Sequence, residues 1–156
     1  MDIPSLLRTF CDAVERRDGK AFAALFVEDG VYHDVFYGTF SGRPKIAEMI
    51  NDYFYHDASD FRWDMHDPIS DGETLYSRYT FSYRSTLPEA RGARAMFEGV
   101  AIMSLHAGEI TCYREVANTA PAFVDLNFSS ERIARIASKQ GAELKARPEM
   151  RRHLAG

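Results

Sequence analysis

The sequence predicts an α+β domain in which helices come first and a sheet of hairpins follows. Three observations predict it. Apolar residues recur at helical spacing as far as Phe54, and from Asp60 onward the period drops from 3.6 to 2. The period-2 segments are punctuated by Ser70-Asp71-Gly72, Pro88 to Gly92 and Ala107-Gly108, residues that make hairpin connections. Strands and helices do not alternate, and neither GxGxxG nor GxxxxGK[ST] occurs, so nothing signals a doubly wound nucleotide fold. At about 100–200 residues per domain, 156 residues make one domain. Its expected extent is 1–141, with 142–156 as a C-terminal tail.

Each element has a local cause. Ile3, Leu6, Leu7, Phe10 and Val14 form one stripe, with Arg8, Asp12, Glu15 and Arg16 opposite, which predicts a helix from Pro4 to Arg17. Pro4 suits its first turn and Asp18-Gly19 ends it. Phe22, Leu25 and Phe26 share a face of a second, short helix that Asp29-Gly30 breaks. Gly30 to Val35 alternates as a short strand, and Phe36 to Gly42 reads as a turn. Arg43-Pro44 opens a third helix with Ile46, Met49, Ile50, Tyr53 and Phe54 as its buried stripe. Strands follow at Phe61 to Asp67, Thr74 to Arg84, Ala93 to His106 and Glu109 to Asn118. Pro121 starts a helical turn, and Ser129 or Ser130 caps a last helix ending near Gln140-Gly141.

Composition narrows the function classes. The chain is 46% hydrophobic and 27% charged, as in an ordinary globular protein. The 19 basic residues are outnumbered by 23 acidic ones, so the basic stripe of a nucleic-acid binder is missing. No apolar run approaches the ~18 residues of a membrane helix, and the acidic start is not that of a signal peptide. Cys11 and Cys112 stand far apart without CxxC spacing, so neither a zinc site nor a disulfide is expected, and the cytoplasm is the expected compartment. No HxxxH or HExxH occurs; neither metal nor cofactor is expected. Aromatic residues reach 13%, including eight tyrosines, which suits an apolar cavity that also makes hydrogen bonds, or a tyrosine-rich core or dimer face.

From Val14 to Gly42, with Ala24-Leu25-Phe26 before Glu28-Asp29-Gly30, and on through Arg43-Pro44-Lys45-Ile46, the chain resembles the nuclear transport factor 2-like superfamily. Phe97 to Glu115, with Gly108-Glu109-Ile110 before Tyr113-Arg114-Glu115, resembles the paired strands of the same superfamily. The match places the chain near its SnoaL-like group. The resemblance implies a cone: a curved antiparallel sheet packed by three N-terminal helices, as in ketosteroid isomerases, with a pocket inside. It also implies site positions. Asp34 matches the catalytic base of ketosteroid isomerases, and Tyr32 with Asp34 matches the water-positioning pair of limonene epoxide hydrolases. His66 resembles a pocket histidine of scytalone dehydratases. Glu115 stands where the epoxide hydrolases carry an acid. The chain also departs from these relatives. Phe10 replaces the oxyanion tyrosine of the isomerases, Ala101 their protonated acid, and Tyr79 and Phe81 the Arg and Asp of the epoxide hydrolases.

Parity on the strands then picks the candidates. Tyr32 and Asp34 share a face, as do Arg62, Asp64 and His66, and as do Tyr113 and Glu115. Asp34 and His66 are the expected catalytic dyad, since a carboxylate orients an imidazole and raises its basicity. Tyr32, Asp64, Tyr79, Phe81, Tyr113 and Glu115 are the expected substrate contacts. The competing readings are a turn-capping acid for Asp34, an exposed histidine on the convex face for His66 and a salt-bridged edge carboxylate for Glu115. The expected function is cofactor-free acid/base chemistry on a small, apolar, oxygen-bearing molecule by an isomerase, dehydratase, cyclase or hydrolase. The alternative is a non-catalytic subunit, dimerisation or ligand-carrier module. The two long strands are apolar on both faces, which predicts a homodimer through the outer face of the sheet.

Overall fold

The structure, a computed structural model, describes residues 1–155. Helix α1 spans Ile3–Glu15, and the Asp2 carboxylate caps it by accepting from the Ser5 amide at 2.8 Å. It buries Leu6, Leu7, Phe10 and Val14 of the predicted stripe, together with Cys11 and Ala13, while Ile3 is only partly buried. Helix α2, Gly19–Ala23, is capped by Asp18 through the Ala21 amide at 2.9 Å. Helix α3, Arg43–Glu48, runs on into a π-helical turn at Met49–Phe54.

Six strands form one curved sheet in the order β2-β1-β6-β5-β4-β3. They are β1 Phe26–Asp34, β2 Gly38–Ser41, β3 Ala58–Ser70, β4 Thr74–Ser85, β5 Arg94–His106 and β6 Glu109–Asn118. All neighbours are antiparallel except β1 and β6, which pair in parallel. After β6 come α4 (Ala120–Asp125), α5 (Ser130–Lys145) and α6 (Arg151–Leu154).

The inner face of the sheet carries the core. Phe61 and Trp63 of β3, Leu75 and Tyr79 of β4, Phe97 and Met103 of β5 and Tyr113 of β6 are all buried there with α1 to α3. α1 also closes the β3 edge, since Glu15 Oε1 accepts from the Trp63 amide at 2.8 Å. The outer face holds Tyr76, Met96, Val100 and Val116, all exposed. No helix among the described residues is long and apolar enough to cross a membrane.

Several elements differ from the sequence expectation: β3 is longer at both ends than Phe61 to Asp67, and the expected tail 142–156 holds the end of α5 and also α6. β1 starts at Phe26, not Gly30, because Phe26 pairs with Ile110 of β6. Asp29-Gly30 lies in a register shift between Phe26 and Val31 rather than at a helix end. β2 occupies part of the expected turn; at four residues, Gly38 to Ser41, it is too short to show a period. α5 continues past Gly141 to Lys145, where Ala142, Glu143, Leu144 and Lys145 all favour helix. Both cysteines are free.

Candidate functional site

The concave side of the sheet encloses a cavity of about 330 Å³. Its walls are mostly rings, among them Phe36, Phe61, Trp63, Phe81 and Phe97; of the four carboxyl groups on its lining, Asp34 and Glu115 lie at the buried floor and Asp57 and Glu143 are exposed to solvent. Helix α5 crosses the mouth and turns Ile136, Lys139 and Gln140 toward the cavity. Those positions share one helical face. α5 is held at two points: Arg132 pairs with Glu89 at 2.8 Å over the Phe128 ring, and the Gln140 amide donates to Thr119 Oγ1 at 3.4 Å.

Asp34 is the last residue of β1. Its Oδ1 accepts from the amides of Phe36 and Tyr37, at 2.8 and 2.9 Å, and so bends the chain out of the strand. Oδ2 makes no hydrogen bond among the described residues and is reachable from the cavity. Burial among rings pushes the Asp34 carboxyl up to about 6, against the two amides that favour its charged form.

Glu115 projects from β6. Its Oε2 accepts from the hydroxyls of both Tyr79 and Tyr113, the latter at 3.2 Å. Its Oε1 is the free oxygen and faces the cavity. Burial, and then the neighbouring Asp34 charge, pushes Glu115 up to about 8, while the two phenols pull it down. The two carboxyls are thus held at different proton affinities, Glu115 above Asp34. With Oε2 filled by two donors, Oε1 is the oxygen left open to carry or release a proton on the cavity side.

The support behind this floor is aromatic. Tyr32 stacks on Tyr113 with centroids 4.3 Å apart, and Tyr113 stacks on Phe10 at 5.3 Å. The Tyr32 hydroxyl finds no partner among the described residues. Phe10 thus packs behind the site where the resemblance leads one to expect a hydroxyl. Ala101 pairs across the ladder with Glu115 itself. An acid is thus present not at position 101 but at the residue facing it on the next strand.

The structure brings together Asp34, Tyr32, Tyr79, Phe81 and Glu115, which all line the cavity. The Asp34–His66 dyad does not form. His66 pairs with Arg78 in the ladder, and its Nε2 meets Thr80 Oγ1 at 3.0 Å; Asp64 and Thr80 line a shallow groove on the outer face. β3 alternates as its sequence predicts, but the set opposite to His66 turns inward. Phe61, Trp63 and Met65 are the larger apolar set, and burying them sends Arg62, Asp64 and His66 outward. Tyr113 is not a cavity contact either: it is fully buried and stands behind Glu115 as a donor. Asp34 both caps the turn and lines the cavity, so its two competing readings hold together. Trp63, in the apolar half of the same alternating strand, is a wall of the cavity that strand parity alone could have indicated.

No curated protein matches the chain in sequence. Solved structures do match it in fold. A protein of ketosteroid isomerase-like fold from Catenulispora acidiphila, solved with trimethylamine, superimposes with a TM-score of 0.72 at 15% identity, covering 83% of this chain and 98% of that one. An epoxide hydrolase from M. tuberculosis gives 0.63 at 19% identity, over 79% and 87%. A hexachlorocyclohexane dehydrochlorinase gives 0.62 at 10% identity, over 74% and 82%. At these identities the likeness is one of fold. The sequence model of the SnoaL-like domain matches residues 7–113, and with the cone and its cavity in place the chain belongs to the SnoaL-like family.

Proposed function

We propose that the chain is a cofactor-free acid/base enzyme acting on a small, largely apolar, oxygen-bearing molecule. Asp34 Oδ2 takes a proton from a carbon or a water, and Glu115 Oε1 gives its proton to an oxygen of the same molecule. Isomerisation, dehydration, cyclisation and water addition are all built from this pair of transfers. The observation that supports the reading is the matched pair of carboxyls. Each is anchored through one oxygen and free through the other, in one ring-walled cavity, with proton affinities pushed to different values. The fold relatives include a hydrolase and a dehydrochlorinase by name.

The test is proton exchange at an activated ring ketone. 2-Tetralone fits the cavity in size, and loss of its α-hydrogens to D2O is followed by NMR. The chain should accelerate exchange, and Asp34→Asn should lose roughly 10²–10⁴ of that acceleration. His66→Ala, on the outer face, should keep it. Binding of tetralone, read by Trp63 fluorescence, without exchange above background would sink the enzymatic reading in favour of a ligand carrier.

A further inference from the structure

The middle of β5 holds a glycine that no turn requires. Gly99 lies in extended backbone between Glu98 and Val100, each paired on both sides. A Cβ placed there would stand 2.6 Å from the Tyr79 hydroxyl, 2.8 Å from Tyr79 Cζ and 2.6 Å from the Val116 carbonyl. A glycine inside a strand marks a close approach by something else. Here that something is the head of Tyr79.

The sheet order shows why the approach is needed. Tyr79 is on β4 and Glu115 on β6, with β5 between them. Strands lie about 4.8 Å apart, so the two backbones are separated by roughly twice that distance. Tyr79 faces Gly99 directly in the β4–β5 ladder, and Ala101, two residues on, faces Glu115 in the β5–β6 ladder. The phenol of Tyr79 therefore lies across β5 at the one inward position that has no side chain, and its hydroxyl reaches Glu115 Oε2 from there.

We infer that Gly99 is a positioning residue: it opens the notch through which Tyr79 crosses β5 and clamps Glu115. This rests on the reading of Asp34 and Glu115 as the acid/base pair. Gly99 touches no substrate; it acts through Tyr79. The titratable groups that bear on Glu115 are Asp34 and Tyr32 of β1, Tyr79 of β4 and Tyr113 of its own strand. Of these, Tyr79 and Tyr113 donate to it and favour its charged form, while the Asp34 charge opposes that form.

The readout is the Glu115 titration itself, measured by carboxyl-carbon NMR on the full chain labelled at glutamate and assigned with Glu115→Gln. Removing the clamp removes a hydrogen bond to the carboxylate, so Tyr79→Phe should move the Glu115 titration upward by about one unit. Gly99→Ala should move it in the same direction by a similar amount. Added to Tyr79→Phe, Gly99→Ala should produce no further shift, because the bond it breaks is already gone. A Gly99→Ala protein in which Glu115 titrates as in the parent would overturn the inference, and so would an equal shift in both backgrounds. The Val116 carbonyl contact lowers stability in every Gly99→Ala protein, so melting is not the readout. If Gly99→Ala alone does not fold, Tyr79→Phe decides: a Glu115 titration raised by about one unit supports the clamp reached across Gly99, and one that titrates as in the parent overturns it. Tetralone exchange is a separate measurement. Its absence with the predicted titrations would fault the catalytic reading and leave the notch standing.

Discussion

Replacing Asp34 by asparagine should make the protein more stable while removing its proposed base. An unfolded Asp34 has released its proton above its ordinary value of 3.8, whereas the folded one keeps it until about 6. Between those values folding takes up a proton, so stability falls as pH rises through that window. Above about 6 the penalty is complete, and below 3.8 it is absent. A shift from 3.8 to about 6 corresponds to about 3 kcal/mol, at 1.36 kcal/mol per unit. Asparagine retains an Oδ1 that accepts from the amides of Phe36 and Tyr37, so the turn survives the change. For a chain of this size ~1 kcal/mol moves the melting temperature by about 2–4 °C, so the gain is roughly 6–12 °C. Thermal melts of parent and Asp34→Asn at pH 8 and again near pH 3 check both halves of the argument. The variant should melt higher at pH 8 and level with the parent at the acid end. An equal or lower melt at pH 8 would refute the claim that burial strains this carboxylate; a gain of the same size at both pH values would show that its charge is not the cause. A site that lowers stability by its own ionisation is what acid/base work in an apolar cavity demands.

Two further outcomes are expected. Any turnover should follow a bell-shaped pH profile, rising through about 6 as Asp34 loses its proton and falling through about 8 as Glu115 loses its own; a profile without either limb near those values would detach the two carboxyls from the chemistry. We also propose that the outer sheet face joins two copies of the chain, since Tyr76, Met96 and Val116 stand exposed there at 47, 55 and 63%. Light scattering at micromolar concentration should report a dimer that Val116→Asp splits, and a monomeric parent would end that proposal.

The inward parity of β4 was legible in the chain itself, because Leu75, Tyr79 and Phe81 alternate with polar residues and a strand's side chains have no choice but to alternate. α1 was legible for the same kind of reason, its stripe and its cap being local. The fold class followed from the change of period and the hairpin punctuation. Asp34, Tyr32, Tyr79, Phe81 and Glu115 were within reach through strand parity joined to the family resemblance. What no local pattern carries is which face of an edge strand turns inward when both faces hold chemistry. His66 and Trp63 stand on opposite faces of β3, and only packing against α1 and β4 decides which face turns inward. β2 was invisible because four residues show no period and their partner is another strand. The crossing of Tyr79 over Gly99 to Glu115 is the clearest case. Those residues are far apart in sequence, each is unremarkable where it stands, and their meeting depends on strand order and register. Periodicity encodes the shape of each segment, but the contacts between segments come from burying all the apolar faces at once, and the site is made of those contacts.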